Sequence, residues 1–113
     1  MNAEKEFKND LQRLTLNDKT LTQLDLPNNQ IKAEGMQALS DALKANQTLT
    51  HLDLSESLID NEKMQAFSEF LKVNPNLIKL DLSHNQIGLK GLKYLSKAIK
   101  ENQTRNQIES FVE

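Results

Sequence analysis

Cysteine is absent from this chain of 113 residues, which removes disulfides, thiol catalysis and the usual zinc ligands together. The chain is therefore indifferent to redox compartment. Aromatic residues are scarce, with Tyr94 the single tyrosine beside four phenylalanines, so no platform exists on which nucleic-acid bases could stack. Neither charge sign dominates: 14 basic side chains face 16 acidic ones, and no strong overall field gathers polyanions or anionic lipid. Three glycines and two prolines leave no break in composition for a linker, and one domain spanning 1–113 is expected. No run approaches the roughly 18 apolar residues that a membrane-crossing helix needs. The first ten residues, MNAEKEFKND, lack the apolar stretch of a signal peptide. The expectation is a soluble cytoplasmic protein without nucleic-acid or membrane partners, and nothing readable bears on secretion into a host cell.

What the chain does contain is a repeat. The strings LTQLDLPNNQI, LTHLDLSESLI and LIKLDLSHNQI start at 21, 49 and 77, a constant spacing of 28 residues. In the first half of each repeat leucines alternate: Leu21, Leu24 and Leu26 recur as Leu49, Leu52 and Leu54 and as Leu77, Leu80 and Leu82, followed by Ile31, Ile59 and Ile87. Period-two leucines in a short run bounded by Pro, Asn and Ser predict a strand with one buried face. The second half changes to helical spacing, with Met36, Leu39 and Leu43 matched by Met64, Phe67 and Leu71 and by Leu92, Leu95 and Ile99. Each helix is expected to close at Asn46, Asn74 or Asn102 in the left-handed conformation that asparagine tolerates, with Pro75 as an added stop. A strand, a helix and a return to a parallel strand make one turn of a right-handed coil.

The pattern L-x-x-L-x-L-x-x-N on this period resembles leucine-rich repeats of the ribonuclease-inhibitor type, over residues 21–104. The resemblance implies an α/β solenoid, a horseshoe segment with a parallel sheet on its concave face and helices on its convex face. It also implies a non-enzymatic protein that binds a protein partner through the concave face and its rims. A looser likeness, in composition, is to repeat proteins that act as effectors of intracellular bacteria. Three repeats are expected at 21–48, 49–76 and 77–104, with an N-terminal helical cap at 1–20 and a degenerate C-terminal cap at 105–113. In the first cap Phe7, Leu11 and Leu14 have helical spacing, although Leu14 to Leu16 also reads as a degenerate strand. In the second, Arg105 replaces the expected leucine while Ile108 keeps the next core position, predicting an altered strand at 105–110.

Residues between the strand leucines point away from the core. They form three columns: Gln23, His51 and Lys79; Asp25, Asp53 and Asp81; Pro27, Ser55 and Ser83. Aspartates stacked at about 4.8 Å repel one another, which a cationic or amide-rich partner would relieve; hydrogen bonds to neighbours or solvation would relieve it equally. Asn29 and Asn85 mark the turn out of the strand, where the resemblance implies bonds to the backbone of adjacent turns, and Ser57 interrupts that column. The middle repeat also places Leu58 where its sisters have Gln30 and Gln86, and Lys63 where they have Gly35 and Gly91. An apolar residue in a polar loop column is not demanded by the fold.

His51 and His84 lack the spacing and carboxylate company of a metal site. Asp81, Ser83 and His84 supply triad residue types, but a triad is a spatial arrangement that sequence neighbours seldom provide. No phosphate-binding loop is present, and no cofactor, metal or catalytic residue is expected. The partner-binding surface is expected to comprise Gln23, Asp25, His51, Asp53, Ser55, Ser57, Leu58, Lys79, Asp81 and Ser83. The alternative is a structural unit, either a piece of a longer array or a weak homo-oligomer joined through terminal strands.

Overall fold

The structure, a computed structural model, describes residues 3–26, 31–102 and 109–111. Among these, four helices alternate with four short strands: α1 (Ala3–Thr15), β1 (Gln23–Asp25), α2 (Ala33–Ala45), β2 (His51–Asp53), α3 (Asn61–Val73), β3 (Lys79–Asp81), α4 (Leu89–Glu101) and β4 (Glu109–Phe111). The strands form one parallel sheet in chain order. Leu24 pairs with Leu52 and Leu52 with Leu80, so the spacing of 28 read from the sequence is the register of the ladder. A slip by one residue would turn every leucine to solvent, which is why burial fixes this register.

The core lies between sheet and helices. Leu24, Leu52 and Leu80 enter it from the strands, and Met36, Leu39, Leu43, Met64, Phe67 and Leu71 meet them from α2 and α3. Phe67 and Phe70 pack edge to face, with ring centroids 4.6 Å apart. Helix α1 brings Leu14 fully into this core, with Phe7 and Leu11 packed against it. The helical reading of segment 3–16 holds, and the degenerate strand does not form.

Gly35 and Gly91 let neighbours approach closely. A Cβ on Gly35 would lie 3.3 Å from the Phe7 ring, and one on Gly91 only 2.6 Å from Asn61 Oδ1. At the same position in α3, Lys63 instead lends its N–H to the cap residue Asp60 and its Nζ to the Leu58 carbonyl, at 2.9 and 3.2 Å.

Three expectations need correction. First, the asparagines that end the helices are extended, not left-handed: Asn46 and Asn74 have φ −71° with ψ 134° and 123°. Their side chains are the reason for their presence. Asn74 Nδ2 donates to Leu43 O (2.8 Å) on the preceding rung, while its Oδ1 accepts from the N–H groups of Asn76 and Leu77 at 2.9 and 2.8 Å. Asn46 makes the matching bonds to Leu14 O, Thr48 N and Leu49 N, and Asn102 Nδ2 donates to Leu71 O. Buried amides with donor and acceptor both satisfied tie successive turns of the coil.

Second, Leu92 is 37% exposed, although Met36 and Met64 at the same position are fully buried. Helical spacing reports that a face is apolar, but not that a neighbour covers it. Third, the pairing of the last strand is shifted: its described part is β4 at 109–111, and Lys79 pairs with Glu109, two residues beyond the repeat spacing. That segment has no leucine column, so burial does not impose the shorter link. Arg105 and Ile108 lie outside the described residues, as do Pro27, Asn29 and Gln30.

Candidate functional site

The face of the sheet away from the helices is open. Because strand residues alternate in direction, it collects Gln23, His51 and Lys79 in one row and Asp25, Asp53 and Asp81 in the next. With Leu52 at the floor, these six residues line a shallow depression of about 240 Å³. The three aspartates are held differently. Asp53 Oδ1 accepts from the Ser55 N–H (2.9 Å) and hydroxyl (2.7 Å), and Asp81 Oδ1 likewise from the N–H and hydroxyl of Ser83. Two residues after Asp25, where Ser55 and Ser83 stand in the sister repeats, the sequence has Pro27, which has no N–H to donate, and Asp25 instead accepts from Gln23 Nε2 at 3.3 Å. So two of the carboxylates terminate their strands, and hydrogen bonds to neighbours offset part of the repulsion in this column.

Those same bonds decide the chemistry. The Ser83 hydroxyl donates its hydrogen bond to Asp81 Oδ1, so it is not set against His84 as a nucleophile against a base. His51 Nδ1 is engaged by Thr50 Oγ1 at 2.8 Å. Among the described residues no three His, Cys, Asp or Glu side chains converge as metal ligands, and no helix is long and apolar enough to cross a membrane. What the surface can do is present alternating amide, imidazole, ammonium and carboxylate groups to another molecule.

Not all ten predicted residues belong to it. Ser55 and Ser83 are half-buried at the strand ends. Ser57 is fully buried, and its hydroxyl donates to Leu26 O at 3.1 Å. It therefore does not lie on the open face with the other expected residues. Asn85 Nδ2 donates to Leu54 O at 2.9 Å, the corresponding carbonyl one rung on, so Ser57 preserves that bond with a shorter side chain. Asn85 Oδ1 in turn accepts from the N–H groups of Ser57 and Ile59, at 2.8 and 3.0 Å.

Leu58, in the loop after β2, is 43% exposed. Its φ is +56°, in the left-handed region. Glu56 and His84, 28 residues apart, share such a conformation at φ 54° and 57°, so theirs is a feature of the repeated turn, whereas Leu58 adds a second one in its own loop. A bulky apolar side chain in this backbone region is held against a cost of about 1–3 kcal/mol. Ile78, 49% exposed, was not expected. It stands where the sister repeats have Thr22 and Thr50, and the same column comparison that singled out Leu58 would have found it.

Leucine-lined parallel strands alternating with helices, tied by asparagine side chains, define a small α/β domain of the leucine-rich-repeat type. The model of the TMOD/LMOD leucine-rich domain family matches residues 3–110, and the chain belongs to that family. Among solved structures, leiomodin-1 actin-binding site 2 is similar at 26% identity with a TM-score of 0.83, over 94% of this chain and 61% of that one. The C-terminal domain of Caenorhabditis elegans tropomodulin shares the fold at 19% identity and a TM-score of 0.79, over 93% of this chain and 62% of that one. The chain thus spans about three-fifths of each of these structures. Comparison with curated proteins gave no match. The family found is a leucine-rich-repeat one, and nothing in these matches supports the ribonuclease-inhibitor type or the looser likeness to bacterial effectors.

Proposed function

We propose that this protein is a non-enzymatic binding module, a short solenoid of three repeats that engages a protein partner through the open sheet face and the loop after β2. The observation that carries the proposal is Leu58: exposed, apolar, in a left-handed backbone conformation, and beside a row of groups able to bond across an interface. Strain and exposed apolar surface together are kept where something uses them. Actin is the partner to test first, since the similar leiomodin-1 structure is an actin-binding site. The sheet strip is narrow, four strands at about 4.8 Å spacing, so it needs rim residues such as Leu58 and Ile78 to approach a standard interface of about 800 Å² per partner.

Binding to monomeric and filamentous actin, followed by fluorescence titration and cosedimentation, tests this reading. Asp53→Lys and Leu58→Gln should each weaken binding about tenfold, or about 1.4 kcal/mol, the first by slower association and the second by faster release. An affinity unmoved by both, yet lost on changing the helix lysines Lys44, Lys72 and Lys100, would place the site on the opposite face. A structural role is the second reading, favoured by β1 and β4, which are the outer strands of the sheet among the described residues. Light scattering separates the two, because a stable dimer through these edges would be present without any partner.

A further inference from the structure

The middle strand begins with a hydrogen-bonded chain of three groups. The Thr50 hydroxyl donates to Thr22 O on the neighbouring strand at 3.0 Å, and the same oxygen stands 2.8 Å from His51 Nδ1. A hydroxyl has one proton, and a carbonyl has none to give. With that proton on the bond to Thr22 O, Thr50 Oγ1 meets the ring as an acceptor, and the proton between them belongs to Nδ1. The neutral ring then carries a bare Nε2. The first repeat sets Thr22 beside Gln23 and the third sets Ile78 beside Lys79, so only the middle one joins a hydroxyl to an imidazole.

The ring lies where its tautomer matters. His51 pairs in register with Gln23 on one side and Lys79 on the other, at the centre of its row, and it lines the depression of about 240 Å³. The donors around it already have partners. Gln23 Nε2 bonds Asp25, the Ser55 and Ser83 hydroxyls bond Asp53 and Asp81, and Lys79 is engaged as well. What the centre of the open face adds for a visiting group is therefore the Nε2 lone pair, and the group that answers a lone pair is a hydrogen-bond donor.

Resting on the reading of the open sheet face as the binding surface, we propose that Thr50 is a positioning residue. It fixes His51 in the Nδ1–H tautomer, so that Nε2 accepts a hydrogen bond from a cationic donor of the partner, of the arginine class.

Nitrogen-15 NMR of the histidine rings, at mildly alkaline pH where an imidazole is ordinarily neutral, tells the protonated nitrogen from the bare one without any partner. His84→Asn removes the other ring's signals and suits the left-handed backbone there. Nδ1–H is expected in the parent and in Thr50→Ser, which keeps the hydroxyl. Thr50→Val keeps the shape and should release the ring to a mixture of tautomers. The capped peptide acetyl-Gly-Arg-Gly-amide should move the His51 signals saturably in the roughly millimolar range, and its glutamate counterpart should not. Thr50→Val should weaken the arginine peptide several-fold and Thr50→Ser should restore it, with circular dichroism showing each variant folded. The proposal is overturned if the parent ring is Nε2–H, if the arginine peptide leaves the His51 signals unmoved, or if Thr50→Val binds it as the parent does. A protein partner whose affinity Asp53→Lys and Leu58→Gln leave unchanged would overturn the open-face reading instead, a result distinct from the tautomer measured on the free protein.

Discussion

The two ends of the helix layer are built from the same unit and finish differently. At one end α1 buries Leu14 completely and packs Phe7 and Leu11, while its outer side is polar. Beyond it, Arg13 Nε donates to Asp18 at 2.7 Å, and the N–H and hydroxyl of Thr20 donate to the same carboxylate at 2.9 and 2.6 Å, clasping the turn that leads to the sheet. At the other end α4 buries Leu95 and Ala98 on its inner side but leaves Leu92 and Leu89 uncovered. An apolar stripe is thus a property of the repeat, whereas closure is a property of the particular end. A helix flank that faces solvent in a stacked array is polar as a rule, and of these two flanks only that of α1 is.

This contrast should show most strongly in paired truncations. Leu14→Ala is expected to cost about 2–5 kcal/mol in urea unfolding, and Leu92→Ala about 1 kcal/mol or less, because only the first empties a packed site. Equal losses at the two positions would mean that the α4 flank is as covered as the α1 one. Asn74→Ala, between the ends, strands the Leu43 carbonyl and two N–H groups and should cost about 1–3 kcal/mol, without the gain in binding-surface exposure that a surface change brings. If instead Asn74→Gly is tolerated as well as the parent residue, backbone conformation rather than the amide is what the position requires.

Smaller effects sharpen the comparison. Asp60 caps α3 through the Lys63 N–H, whereas Lys32 and Gly88, the residues that precede α2 and α4, make no such bond, and α4 is instead capped from α3 by Asn61 Oδ1. Asp60→Ala should therefore destabilise by about 1 kcal/mol, measured by thermal or urea unfolding, while Lys32→Ala at the start of α2 should change little. The smallest effect lies in acid. Bonds from Thr20 and Arg13 hold the Asp18 carboxyl down to about 2, against an ordinary value of 3.8. A depressed carboxyl stabilises the fold above its unfolded value, and that contribution is lost as pH falls from 3.8 through about 2. Asp18→Asn should flatten this part of the stability profile at the α1 end, and an unchanged slope would show that the clasp is not a folded-state feature in solution.

Much of this was legible from the leucines alone. Their spacing located the strands, the pairing of Leu24, Leu52 and Leu80, and the rows of Gln23, His51 and Lys79 and of the three aspartates, because alternation forces every second side chain outward. Asparagine was found at the right positions and given the wrong task, since a residue type with two roles, left-handed backbone and amide bridge, does not declare which one it serves. Ser57 was mistaken for a break because the eye compares side-chain names, while the fold compares whether a donor reaches Leu26 O.

The repeating unit, its period and its inner and outer rows are written in the order of residues, since these follow from which side chains water rejects at fixed intervals along a chain. The exposure of Leu92, the left-handed backbone of Leu58 and the pairing of β4 two residues beyond the repeat come from folding in three dimensions. Each of these depends on what lies across from a residue, and a neighbour brought close by folding leaves no mark on the local pattern.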